Sequence, residues 1–379
     1  MSALLICKFL PFLWNGLPRD RGKKLVKDGS KSAGKPTGAG YVMLLLTLPV
    51  LFLILPITDL QADSVKTFKE LVANMREIFV TPSLWNSMIN RQWGVVACLF
   101  AAMLTGYFDD KSEKPWGRFK KGMFDFVIAV ATALVLCKGE SVEIWIPFWK
   151  NSIHMHWFWY TSMSVVLLWI TMNATNCSDG VDGLAGTLTL ISLFALAIFL
   201  YGVVGHETIA EYLLVPHYPE GARWAILTAT IGGSVAGYLW HNAEPSKVLM
   251  GDAGSRFLGL LVGVAALACG NPFLILVVAP IVLLNGGTGL LKIALLKILA
   301  NTGVDISNPY TVKTDGTLEK DDKTVSPCMF IRLIHRFRFP FHDHCRHNLN
   351  WSNAQVLMRF VLIQAILMPL LFLILVKIR

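Results

Sequence analysis

Apolar and polar positions in this chain alternate on the scale of whole segments rather than of single helical turns. Apolar runs long enough to cross a bilayer, or nearly so, begin near residues 41, 93, 123, 157, 184, 223, 256, 272 and 357, and a shorter run occupies 2–14. If 2–14 is a first span, the pattern predicts an all-α, polytopic membrane protein of about ten transmembrane helices. The 2–14 run is short and interrupted by Lys8, so an interfacial helix competes with a span there. A secretory signal peptide fits less well, because no small-residue cleavage site precedes Arg19. With no internal repeat and no extended low-complexity tract, residues 1–379 read as one integral membrane domain with a cytoplasmic insertion at about 300–335.

Composition agrees with that class: 54% of residues are hydrophobic, 16% are charged, and the mean hydropathy is +0.54. The net charge of +9 raises the question of nucleic acid, but the cations are gathered in particular inter-helix loops. Arg19, Arg21, Lys23, Lys24, Lys27, Lys31 and Lys35 lie in the loop at 17–35. Five basic residues lie in 109–122 and several more in 298–356, whereas 205–222 holds no Lys or Arg. Counted from a first span at 2–14, the basic loops are all odd-numbered and share one side, which the positive-inside rule makes cytoplasmic. Both termini then face outward, and no nucleic-acid partner is expected. The seven cysteines are scattered and form neither a CxxC pair nor a disulfide framework.

Five polar clusters fall in the same odd-numbered loops: Gly34–Gly40, Tyr107–Lys111, Asn173–Gly186, Leu249–Ser255 and His342–His347. They therefore converge on the cytoplasmic face. Asp109 and Asp110 read by default as a solvated helix end, although the negative end of the helix dipole disfavours acids there. Asp179 or Asp182 could cap the sixth helix, a role one aspartate fills alone. If residues 176–186 are helical, Asn176, Asp179 and Asp182 line one face and offer hard-cation ligands. Asp252 stands in a short glycine turn beside a span, where an ionisable group is a functional candidate. His342, His344 and His347 suit either zinc, with Asp343 or Cys345, or an anionic phosphate, with Arg346. Carboxylates, cationic loops and a bilayer together suggest chemistry on a lipid-borne phosphate, bridged by a divalent cation, most simply Mg²⁺.

Three of these stretches carry a family resemblance. "NATNCSDGVDGLAG" resembles the N-x-x-N-x-x-D-G-x-D-G-L-A block of the polyprenyl-phosphate N-acetylhexosamine-1-phosphate transferases, "LMGDAGSRFLG" their F-M-G-D-x-G-S-L-x-L-G block, and "GYFDDK" their G-F-x-D-D block. Within that superfamily, "GKPTGAG" and "FRFPFHDHCRHNLNWSNAQVLMRF" are similar to blocks of the MraY, or phospho-N-acetylmuramoyl-pentapeptide transferase, family. The resemblance runs from about residue 25 to the end of the chain.

The resemblance implies catalytic roles for Asp109, Asp110 and Asp252. It implies substrate contacts from Asn173, Asn176, Asp179, Asp182, His342, His344 and Lys111, with Mg²⁺ held by Asp252 and Asp182. The implied activity moves phospho-N-acetylmuramoyl-pentapeptide from its UDP-linked donor to undecaprenyl phosphate, giving lipid I and UMP in peptidoglycan synthesis. The implied setting is the bacterial inner (cytoplasmic) membrane, multi-pass, with a homodimer as the assembly the family allows. A WecA- or TagO-like transfer of GlcNAc-1-phosphate from UDP-GlcNAc is the alternative. Direct attack by the lipid phosphate, with Asp109 taking a proton, competes with a two-step route through Asp252 as nucleophile. A transporter is disfavoured, since the acids lie at loop–helix junctions on one side and no repeat is visible.

The chain departs from the family pattern in places. Asp343 stands at the second position of the histidine triplet, Leu249 where the family has an aromatic, and Arg256 where it has an apolar residue. The family's Lys three residues beyond the aspartate pair has no clear counterpart, although Lys111 and Lys114 lie close by.

Overall fold

In the computed structural model the apolar runs fold, in order, as α1 (Ser2–Leu13), α2 (Ala39–Ile54), α3 (Arg91–Lys111), α4 (Arg118–Cys137), α5 (Trp157–Ser178) and α6 (Leu184–Phe199). The chain continues as α7 (Gly221–Asn242), α8 (Gly251–Ala268), α9 (Pro280–Asn301, with a π turn at Leu283–Gly287), α10 (Met329–Arg336), α11 (Phe341–Asn348) and α12 (Asn353–Lys377). The structure describes residues 1–22, 32–56, 90–147, 149, 151–307, 310–312, 318–320 and 328–377. Lys23, Lys24, Lys27 and Lys31 of the first basic loop lie outside the described residues, as do 308–309, 313–317 and 321–327 of the expected insertion.

Among the described residues, four helical stretches are long and apolar enough to cross a membrane by length and composition: Leu184–Val204, Gly251–Ala268, Pro280–Asn301 and Asn353–Leu373. Ser2–Gly16 and Ala39–Ile54 are apolar but shorter. Helices α3, α4, α5 and α7 have 21, 20, 22 and 22 residues. At 1.5 Å per residue each reaches about 30 Å, although each carries polar residues toward its ends.

Helix α8 forms the centre of the bundle. Every residue from Ala253 to Leu267 is buried, as expected of a helix without a solvated stripe. It packs against α2, α3, α5 and α6. Small residues permit the close approach: a Cβ at Gly40 would fall 2.2 Å from Gly254 Cα, and one at Gly106 2.3 Å from the Asp252 carbonyl oxygen. By contrast, α12 leaves Leu362, Ile363, Ile366, Leu370 and Leu373 exposed, an apolar surface of the kind that lipid covers.

Among the described residues, the fold departs from an all-α reading in two small hairpins, where β1 (Val142–Ile144) pairs with β2 (Ile153–Met155) and β3 (Tyr310–Val312) with β4 (Leu318–Lys320). The first closes one end of the bundle. Trp145, fully buried, bonds through its backbone N–H to Gly270 O and through Nε1 to Cys269 O at 2.9 Å. Tyr218 Oη donates to Glu143 O at 3.1 Å, tying in the loop before α7.

At the opposite end α5 stops at Ser178 and α6 starts at Leu184, with Gly183 as N-cap at φ +77°. The helix required to put Asn176, Asp179 and Asp182 on one face is therefore absent, because the Asp-Gly pairs at 179–180 and 182–183 form a turn. Neither aspartate caps α6. The buried Gly183 N–H goes instead to Asn242 Oδ1 at 2.8 Å, and Asn242 Nδ2 donates to Val248 O.

Candidate active site

The polar clusters of the sequence meet where α8 begins. Leu249 bonds backbone to backbone with Pro36 and Ala39, fastening the start of α2 to the loop before α8. Gly251 takes φ +69°, and a Cβ there would lie 2.4 Å from Asp110 Oδ2, so the turn admits only glycine without displacement. Helix α8 has no side-chain cap of its own. Asp110 supplies one from α3, accepting the Asp252 N–H on Oδ1 and the Ala253 N–H on Oδ2, each at 3.1 Å. Two adjacent aspartates thus divide their work: Asp110 fixes the α8 terminus, and Asp109 faces Asp252.

Asp109 is 5% exposed. Its Oδ1 accepts the Trp116 N–H at 2.8 Å, while Oδ2 pairs with Lys121 Nζ and lies 3.6 Å from Arg256 Nη2. Asp252 Oδ2 accepts from the same Lys121 Nζ at 2.8 Å and from Arg256 Nη2 at 3.2 Å. Its Oδ1 accepts from Asn176 Nδ2 at 2.9 Å, and Asn176 also donates to Ser255 Oγ at 3.0 Å. Two carboxylates from different helices therefore converge on one ammonium nitrogen, and a guanidinium backs them.

Asn173 turns its amide along its own helix, donating to Trp169 O at 2.9 Å. Asp182 Oδ2 accepts the Ser246 N–H at 3.1 Å and lies 3.7 Å from Lys35 Nζ, so it organises the approach to α8. Asp179 is half-buried at the end of α5. His342 is buried: its N–H and Nδ1 both meet Asn285 Oδ1, at 2.8 and 3.1 Å, and a Cβ on Gly180 would lie 2.3 Å from its Nε2. Asp343 lies 3.7 Å from both His342 Nε2 and Arg346 Nη1. His344 stacks on Phe341 at 5.8 Å, and burial, with Arg338 and Arg336 nearby, holds its imidazole below the usual histidine range. Lys111 is exposed on the last turn of α3. Among the described residues, Lys121, from the first turn of α4, joins Arg256 in facing the aspartates.

Among the described residues, no group of three or more His, Cys, Asp and Glu side chains is gathered to hold a metal ion. The zinc reading of the histidine cluster finds no such group. Magnesium asks for less, since it keeps several waters and binds through one or two carboxylates. The Asp109 and Asp252 oxygens already converge on a single cationic nitrogen, a donor set that fits it.

Sequence reading missed Lys121, Asp125 and Asn285. One signal was present for the first two: Lys121 and Asp125 are four apart on α4, the spacing that places both on one helix face.

Residues 92–270, which hold Asp109, Asp110, Lys121, Asn176, Asp252 and Arg256, match the profile of Glycosyl transferase family 4. Fold and site thus define a helical, membrane-type transferase. The chain is 38% identical over 361 residues to the phospho-N-acetylmuramoyl-pentapeptide-transferase of Treponema pallidum (strain Nichols), covering 94% of this chain and 83% of that protein. The Pelobacter propionicus protein of the same name is 32% identical over 213 residues, 54% of this chain and 59% of that relative. The chain belongs to the phospho-N-acetylmuramoyl-pentapeptide-transferase family.

Proposed function

We propose that the protein transfers phospho-N-acetylmuramoyl-pentapeptide from its UDP-linked donor to undecaprenyl phosphate, forming lipid I and UMP in peptidoglycan synthesis. The observation that carries this reading is the convergence of Asp109 and Asp252 on Lys121 and Arg256 at one end of an apolar bundle. Phosphoryl exchange between two anions requires positive charge and alignment more than covalent help from the protein.

In this reading an oxygen of the lipid phosphate attacks the sugar-bearing phosphorus of the donor, a new P–O bond forms, and UMP leaves with the electrons of the broken one. Lys121, partly exposed on a flexible stem, moves from the carboxylates to the anionic phosphates. Asp109, anchored through Oδ1 by the Trp116 N–H, helps to place the lipid phosphate, whose remaining proton passes to water as it attacks. Both Asp252 oxygens are engaged by Asn176, Lys121 and Arg256, which favours a charge-holding role over that of nucleophile. Asp252 and Asp109 would hold Mg²⁺, which when bound would offset the pyrophosphate charge and stabilise the leaving group. Asp182 serves through Ser246 and Lys35 as an organiser of the loop rather than as a metal ligand. His342, braced by Asn285, and His344 line the donor side.

The setting proposed is the bacterial inner membrane, with about ten spans, both termini outside, the site at the cytoplasmic face and a homodimeric assembly. The basic residues of the described loop at 109–122, beside the site, support that orientation. The test is UMP release by purified protein from UDP-N-acetylmuramoyl-pentapeptide and from UDP-GlcNAc, with and without undecaprenyl phosphate, in Mg²⁺ or EDTA. Release from the first donor alone, dependent on lipid and Mg²⁺, is the expected result. Release from UDP-GlcNAc alone would replace this reading with the GlcNAc-1-phosphate one.

A further inference from the structure

Arg256 lies one turn beyond Asp252 on α8 and is 2% exposed. Its guanidinium meets three carboxylates. Nη2 is 3.2 Å from Asp252 Oδ2 and 3.6 Å from Asp109 Oδ2, while Nη1 is 3.3 Å from Asp125 Oδ1 on the second turn of α4. Asp125 is also 2% exposed. One end of the fork therefore rests on the reacting pair and the other on an acid set further along the bundle.

This cation differs in kind from Lys121. A guanidinium keeps its proton in proteins, so its charge is permanent, and its planar fork fixes direction as well as distance. Lys121 reaches the same pair from the open side, with its side chain 28% exposed. Substrate phosphates can draw Lys121 away, whereas Arg256 is held from behind by Asp125. Without Arg256, Asp109 and Asp252 would face each other with only a displaceable counter-charge.

We propose that Arg256, fixed by Asp125, is a positioning residue that acts as a resident cation for the Asp109–Asp252 pair, holding the carboxylates together and limiting how tightly they take a divalent ion. This rests on the transferase reading of the site. The consequence is a division of labour. Lys121 follows the phosphates, and Arg256 keeps the emptied site assembled and weakens the grip on the metal so that product and ion can leave.

The test replaces the pair by apolar residues of similar length, Asp125→Leu with Arg256→Met, which strands no buried charge. Thermal unfolding in detergent is followed across Mg²⁺ concentrations with neither donor nor lipid present. Removing one positive charge next to the carboxylates, offset in part by loss of the more distant Asp125, should lower the Mg²⁺ midpoint about tenfold. Arg256→Lys, which keeps the charge, should stay within about twofold of wild type. The same double variant should lose kcat for UMP release with little change in KM for the donor. An unchanged or higher Mg²⁺ midpoint in the double variant overturns the proposal. Should the apolar pair fail to fold, Asp125→Asn with Arg256→Gln is held to the same midpoint shift. Absence of a Mg²⁺ response in every protein also overturns it, and UMP release by the wild type then decides separately whether the transferase reading stands.

Discussion

Gly106 offers the sharpest perturbation of the site that leaves every polar side chain in place. It sits on α3 one turn before Asp109 and Asp110, and a Cβ there would lie 2.3 Å from Asp252 O, 2.4 Å from Asp252 C and 2.5 Å from Ala253 N. Ordinary contact begins at 3.4 Å, so Gly106→Ala forces α3 and α8 apart by about 1 Å. Every obstructing atom is backbone, and no side-chain rotation relieves the clash. The two Asp110 bonds that cap α8, each 3.1 Å, would stretch to about 4 Å and cease to be hydrogen bonds. Overpacking costs about 1–3 kcal/mol and the lost cap about 1 kcal/mol, against about 1 kcal/mol regained from alanine's helix propensity. The net loss is about 1–3 kcal/mol of stability. The rate falls further, because displacing a reacting group by about 1 Å costs on the order of a hundredfold. UMP release and thermal unfolding of the purified variant measure both. Gly122→Ala on α4 is the control: the nearest atom to its Cβ would be Trp169 Cζ2 at 3.8 Å, so with no clash stability should hold or rise by up to about 1 kcal/mol through alanine's helix propensity. A Gly106→Ala protein with wild-type rate and unfolding temperature would show that the α3–α8 contact does not hold the site in place.

Other outcomes follow from the same geometry. Lys121→Met should cut lipid-dependent UMP release by about a hundredfold or more, with partial recovery in Lys121→Arg, both read by initial rates. Asp110→Ala should lower stability by about 1 kcal/mol through loss of the α8 cap, seen as a lower unfolding temperature. Asn242→Ala should cost about 1–3 kcal/mol by orphaning the buried Gly183 N–H, and Asn242→Asp should recover part of it because an acceptor remains.

Much of this was legible in the sequence because the signals were local. Apolar runs marked the helices, and glycine and aspartate clusters at their ends marked one face of the bundle. The spacing of Asn176, Asp179 and Asp182 aligns them only if the helix continues, and the Asp-Gly pairs inside it announce a turn instead. Asn176 did reach Asp252, from the last turn of α5. Asp110's role was hidden because it caps a helix far away in sequence, a contact that no local pattern encodes. Arg256 stands out in the sequence only as a charge where the family has an apolar residue. Its spacing from Asp252, one turn on, was the available clue to an ion pair. Lys111, next to the aspartates in sequence, is exposed, whereas the turn through Trp116 brings Lys121 back over Asp109.

The central claim is that Asp109 and Asp252 form one reacting centre. It is tested most directly by exchange of labelled UMP into UDP-N-acetylmuramoyl-pentapeptide, using lipid I and purified Asp109→Asn and Asp252→Asn proteins that unfold cooperatively. Loss of exchange by at least about a hundredfold in each is the predicted result. Wild-type exchange in either folded variant would contradict it.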